Sequence, residues 1–151
     1  MANTQAMVTS FKTELLSGIH ALGTTVIRAG TGADTFKAAL YLTTATLDAS
    51  TTAYSASNEV SGTGYSAGGI TVTNATAPTS SGTTAYWTPS ANLIYTTVTL
   101  ATAFDAVLIY NSTQSNKAVS VHTFGSQTIS AGTFTLTMPT SDATNALIRI
   151  A

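Results

Sequence analysis

Ser66, Asp105 and His122 are the residues of this chain whose types and order best suit chemistry. Gly64-Tyr65-Ser66-Ala67-Gly68 matches the G-x-S-x-G pattern of a nucleophile elbow, and the acid and the histidine follow in hydrolase order. In that chemistry the imidazole takes the serine proton while the acid fixes the imidazole tautomer. An elbow needs a strand before the serine and a helix after it. Here Gly68 and Gly69 run directly into the β-branched, alternating Ile70-Thr71-Val72-Thr73, so the pattern reads as a glycine-rich loop or hairpin. Gly62-Thr63-Gly64-Tyr65-Ser66-Ala67 also fits the loose dinucleotide pattern G-x-G-x-x-A, but no βαβ unit surrounds it and no acidic residue follows about 20 positions on.

Other chemistry has less to work with. His20 and His122 have no carboxylate at ligand spacing, and the chain has no cysteine, so neither a metal site, a cofactor nor thiol redox chemistry is expected. A glycosidase would have to assemble its two carboxylates from distant loops, among them Asp48, Glu59 and Asp105. Tyr54, Tyr65, Tyr86, Trp87 and Tyr95 supply flat amphipathic rings of the kind that contact carbohydrate. Trp87, between Tyr86 and Thr88 in a strand-like segment, reads instead as core.

The elements that must position these residues belong to an unusual composition. Only 7% of the 151 residues are charged, against roughly a quarter in an ordinary soluble domain, and the formal net charge is -1. About a third are Ser or Thr. A hydrophobic fraction of 44% and a mean hydropathy of +0.25 argue for a folded chain rather than a disordered one. Without a basic cluster there is no counterion-release drive toward nucleic acid and no attraction to an anionic membrane. The N-terminus lacks a signal-peptide pattern and no long apolar run occurs, which predicts synthesis and release in the cytoplasm. Two glycosylation sequons, Asn74-Ala75-Thr76 and Asn111-Ser112-Thr113, are expected by chance in so Thr-rich a sequence.

A single domain over 1–151 is expected, with a helix at about 4–21 and a β region at about 34–151. Met7, Phe11, Leu15, Ile19 and Leu22 form an apolar stripe of helical period, with Asn3 or Thr4 as cap and Gly23 as stop. After Asp34 the period changes to two. Strands are expected at Phe36–Thr43, Gly69–Asn74, Ala85–Thr88, Ile94–Leu100, Phe104–Tyr110, Ala118–Phe124, Thr133–Met138 and Ala146–Ile150. Inward positions include Ile94, Val98 and Leu100, and Phe134, Leu136 and Met138 opposed by Thr133, Thr135 and Thr137. Such spacing predicts a mainly β fold, an antiparallel β-sandwich or jelly roll with one N-terminal α-helix. Residues 43–64 form a long loop expected to make contacts.

Several ordered stretches resemble a known family. They are Phe11-Lys12-Thr13-Glu14-Leu15-Leu16, Phe36-Lys37-Ala38-Ala39-Leu40-Tyr41, Asn58-Glu59-Val60-Ser61-Gly62-Thr63-Gly64-Tyr65-Ser66-Ala67-Gly68-Gly69, Leu108-Ile109-Tyr110-Asn111-Ser112, Asn116-Lys117-Ala118-Val119 and Phe124-Gly125. Together they resemble a family of small virion structural proteins of tailed bacteriophages. The segment from Tyr86 to Thr102 does not match that pattern. The resemblance implies a non-enzymatic capsid decoration or cement protein on the virion surface, made in the host cytoplasm. It supplies no catalytic residues. The expected partners are the major capsid protein and further copies of this chain, with no nucleic acid or membrane. A tail, neck or fibre component with a receptor-binding role is the first alternative, and a carbohydrate-binding module or glycan-active enzyme the second. Phe11, Leu15, Tyr54, Tyr65 and Trp87 are the candidate interface residues.

Overall fold

The computed structural model describes residues 3–16, 18–23, 32–73 and 76–150. Two antiparallel sheets dominate it. The larger has the order β1-β7-β6-β2-β3 and the smaller β4-β5-β8. In chain order the elements are β1 (Ala6–Met7), α1 (Thr9–Leu16), β2 (Phe36–Leu42), β3 (Ile70–Thr71), β4 (Thr79–Ser81), β5 (Thr84–Trp87), β6 (Leu93–Asn111), β7 (Lys117–Leu136) and β8 (Ile148–Ile150).

β2 lies between β3 and β6 and is buried along most of its length, which suits its near-continuous apolar sequence Phe-Lys-Ala-Ala-Leu-Tyr-Leu. β6 and β7 form one long hairpin, joined through residues 112–116. Four of the expected strands are therefore two. Ile94–Leu100 and Phe104–Tyr110 belong to β6, and Ala118–Phe124 and Thr133–Met138 fall largely in β7. Register shifts at Tyr95/Val98, Val98/Leu100, Leu100/Phe104 and Phe104/Ala106 interrupt the alternation, which is why the sequence pattern breaks where the strands do not.

The first shift also corrects a facing. Leu93, Tyr95, Val98 and Leu100 are buried, whereas Ile94 is 48% exposed. Between Tyr95 and Val98 the β6 strand holds one residue more than its partner, and Thr97 there has φ 54°. The extra residue moves the buried set from odd to even positions, so Val98 and Leu100 face inward as expected and Ile94 does not. On β7, Phe134 is buried while Thr133 and Thr135 are exposed, matching expectation.

An N-terminal helix over 4–21 is not seen. Ala6 and Met7 pair with Val121 and Ser120 as strand, and only the eight-residue α1 follows. Gly18, with φ 67°, ends it. Its N–H donates to the Leu15 carbonyl and that of Ile19 to the Glu14 carbonyl, the paired bonds of a Schellman stop. A helical stripe of five apolar residues was thus divided between a strand, two helical turns and a loop. Ser17 and Arg28, like Asn74 and Ala75 of the first sequon, lie outside the described residues.

Candidate functional site

A cleft of about 730 Å3 among the described residues opens beside the β6–β7 hairpin. Leu93, Val107, Ile109, Phe124 and Leu136 line it, together with Ala143 and residues 145–149 of the C-terminal segment. His122 and Arg149 are its titratable lining groups among the described residues, and no carboxylate lines it. A cleft of this volume, lined by apolar and polar groups together, is of the kind that takes a ligand or an inserted side chain.

His122 Nε2 lies 2.9 Å from Ser120 Oγ. That distance suits a nucleophile and its base, but Ser120 is 1% exposed and does not line the cleft. Burial pushes the His122 pKa down to about 4, so the ring is neutral near pH 7. The folded-state value lies below the ordinary 6.5, so the unfolded chain binds the proton more readily. Stability is therefore complete above about pH 6.5 and falls as pH drops toward 4. At ~1.4 kcal/mol per unit the loss is at most about 3.5 kcal/mol, and partial exposure of the ring makes it smaller. Urea unfolding of His122→Gln is expected to flatten this slope; an unchanged slope would place its origin elsewhere.

Ser66, Asp105 and His122 do not assemble into a triad. Ser66 sits in a turn closed by the Gly69 N–H to Ser66 carbonyl bond and lines a separate cavity of about 170 Å3 with Gly64 and Ile94. Asp105 accepts from Asn3 Nδ2 at 2.6 Å, and His122 faces the larger cleft. The glycines serve close approach instead. A Cβ at Gly62 would lie 2.0 Å from the Thr99 carbonyl oxygen and one at Gly69 1.7 Å from that of Ala38, so this loop lies flat on β6 and β2.

Two buried polar nodes hold the loops. In the first, Glu59 accepts from Tyr54 Oη at 2.6 Å, Tyr65 Oη at 2.7 Å and the Gly68 N–H at 2.7 Å. Tyr54 stacks on Tyr110, whose hydroxyl donates to the Gly68 carbonyl, and Tyr65 stacks on Tyr95. Burial first, then the bond to Glu59, raises the Tyr54 and Tyr65 pKa values well above the ordinary tyrosine range. The 43–64 loop is also tied down by the Val60 N–H to Leu40 carbonyl and Tyr54 N–H to Asn116 carbonyl bonds.

In the second node Asn111, fully buried, donates through Nδ2 to His20 Nδ1 at 3.0 Å and Asp34 Oδ2 at 2.9 Å. Its Oδ1 accepts from the N–H groups of Thr113 and Gln114. With Nδ1 accepting, His20 Nε2 carries the proton and donates to Glu14 Oε2 at 2.7 Å. Lys117 Nζ donates to Glu14 Oε1 at 2.6 Å. Burial lowers the His20 pKa against the pull of Glu14. For Glu14 burial raises it, but the bonds to Lys117 and His20 together prevail and lower it. Both depressed values add stability that is lost on acidification, in the same direction as His122. Asn111→Ala strands two N–H groups and two side-chain partners, and is expected to cost about 3 kcal/mol in urea unfolding. A cost below about 1 kcal/mol would show that water replaces it.

Of the candidate interface residues, Phe11 and Trp87 are enclosed, at 0% and 1% exposure, and here supply core. Trp87 packs near Phe36 and its Nε1 donates to the Thr76 carbonyl at 2.8 Å. Leu15 packs against the core from a half-buried position, and Tyr54 and Tyr65 are half-buried with their hydroxyls on Glu59. Of the rings weighed for carbohydrate, Tyr95 is 2% exposed and bonded to the Ala38 carbonyl. The Glu59 node had a signal in the sequence: a carboxylate between two tyrosines, five residues after one and six before the other.

The structure also gathers the neutral parts of the chain. Residues 60–104 and 118–141 contain no Asp, Glu, Lys or Arg. Leu93 to Phe104 of β6 pairs with Gln127 to Leu136 of β7, and Thr63 bridges to Thr99, so both runs meet at one end of the hairpin. Among the described residues no group of three or more His, Asp or Glu side chains could hold a metal ion, and no helix is long and apolar enough to cross a membrane. Comparison with protein-family models, with curated proteins and with solved structures finds no match.

Proposed function

We propose that this chain is a non-enzymatic structural protein of a tailed-bacteriophage virion, a decoration or cement protein bound to the capsid lattice in many copies. The observation that carries the reading is the pairing of Leu93–Phe104 with Gln127–Leu136, with Thr63 bridged to Thr99, which gathers parts of both uncharged runs into one hydroxyl-rich end. Copies crowded on a shell repel one another when their facing surfaces are charged. Neutral faces avoid this, and many weak contacts on a symmetric lattice add through avidity. The Ser/Thr-rich surface lets such contacts be made by hydroxyl and backbone groups. The two sheets are read as layers of an antiparallel sandwich, since Trp87 of β5 and Ile148 of β8 join one core cluster with Phe36 of β2.

Acid–base chemistry finds little support, because Glu14, Asp34, Glu59 and His20 are bonded into the buried nodes and the cleft has no lining carboxylate. Quantitative mass spectrometry of purified particles tests the reading. A decoration protein should occur on heads in on the order of hundreds of copies, and a tail or neck protein in about a dozen. Absence from mature particles would defeat both.

A further inference from the structure

We infer that the outer edge of β7 pairs with the same edge of a second copy of this chain, antiparallel across a twofold axis, and that the partner covers the large cleft. This rests on the many-copy reading above. The β7 edge is covered from Lys117 to Val121, by Ala53, Thr52, Val8 and β1, and among the described residues no strand lies on it beyond Val121. β7 nevertheless continues to Leu136, with Gly125 to Thr128, Ser130, Ala131 and Thr133 exposed. An open edge presents unpaired N–H and C=O groups, which monomeric proteins guard with lysine, proline or other charge. From Ala118 to Met138 the chain has none of these.

β7 has a regular stretch for such pairing. The extra residue at the Tyr95/Val98 shift lies on β6, so β7 runs without interruption from Gly132 to Leu136, an ordinary strand length. The cleft lies along this edge, with His122, Thr123, Phe124, Leu136 and Met138 among its lining. An added strand would satisfy the backbone and place alternate side chains against Phe124, Leu136 and Met138 of that lining.

Charge and symmetry select a second copy as the occupant. The edge strand itself offers an acidic or basic peptide nothing to read, and Arg149 of the cleft has Asp142 near it, whereas two identical uncharged strands meet without placing like charges opposite each other. Antiparallel pairing about a twofold is self-complementary, so one edge serves both partners.

The absence of cysteine makes the test direct. Thr128→Cys, Ser130→Cys, Thr133→Cys and Thr135→Cys, all at exposed positions, are oxidised singly and in pairwise mixtures, with Ser81→Cys on the smaller sheet as control. Opposed positions in an antiparallel pair lie within about 5.5 Å between Cβ atoms, close to disulfide reach. At least one edge variant or mixture should form covalent dimer more than about tenfold faster than the control. In sedimentation velocity the cysteine-free chain should dimerise with concentration, and the Thr133→Lys/Thr135→Lys double variant should stay monomeric with an unchanged circular dichroism spectrum. Cross-linking at the control rate throughout, or a dimer that survives the two lysines, overturns the inference. A monomeric chain found in many copies on heads would defeat the edge pairing alone; a dimer absent from particles would defeat the virion reading alone.

Discussion

Glu59→Ala is expected to destabilise the protein by about 4 kcal/mol and to free the 43–69 loop before the sheets unfold. The carboxylate accepts from two tyrosine hydroxyls and the Gly68 N–H, all within 2.7 Å. Bonds to a charged acceptor contribute about 1.5–3 kcal/mol each, and the donors left behind carry a desolvation penalty wherever water cannot reach them. The half-buried Tyr54 and Tyr65 rings can turn partly toward solvent, which keeps the total below the sum of three such bonds. Glu59→Gln retains one acceptor oxygen but presents an NH2 to a donor, so an intermediate loss is expected. Urea unfolding gives the total, and amide exchange at Val60 and Gly68 locates it. If those amides stay protected in Glu59→Ala, the loop is held by its backbone bonds and the node is secondary.

Gly69→Ala should cost at least as much, by a different route. Gly69 has φ 71°, and an added Cβ would fall 1.7 Å from the Ala38 carbonyl oxygen and 2.5 Å from its carbon. The obstruction is backbone, so no side-chain rotation relieves it. The start of β3 would have to move off β2, losing the Ala38–Ile70 pairing and straining the Gly68 end of the Glu59 node. A loss of about 4 kcal/mol or more places it among the severe single substitutions. Gly82→Ala is the matched control, with φ 58° but nothing within 4 Å of its Cβ. It should show only the left-handed backbone penalty of about 1–2 kcal/mol, a melting shift of several degrees. Similar melting temperatures for the two variants would mean that conformation, not contact with β2, sets the requirement.

The strand pattern was legible wherever alternation stayed in phase. Phe134 with its flanking threonines kept their expected faces, and Phe36–Leu42, a near-continuous apolar run rather than an alternating one, became β2 almost as read. Alternation fails at a bulge, because one extra residue inverts every later facing, and so Ile94 was placed inside and the long strands were divided. The N-terminal stripe misled for another reason. Apolar residues spaced by three or four fit a helix, but the same set could bury itself as β1, a short α1 and a loop once β7 offered an edge and Gly18 a stop. Local propensity for a helix of that length is weak, and tertiary pairing outweighs it.

The site had the same division. Sequence offers no cysteine for thiol chemistry and no Lys/Arg cluster for a basic surface, and it reads the Ser66 pattern as a loop from the strand that follows. It could not foresee that Glu14, Asp34 and Glu59 would be spent on buried nodes, because the partners of Glu14 and Asp34 include Lys117, Asn111 and Gln114, far along the chain. By itself the sequence determined a β-rich chain with two long uncharged runs. Only the tertiary structure decided that parts of those runs meet at one end of a hairpin whose β7 edge no described strand covers beyond Val121, because strand pairing, unlike composition, joins residues irrespective of their separation along the chain.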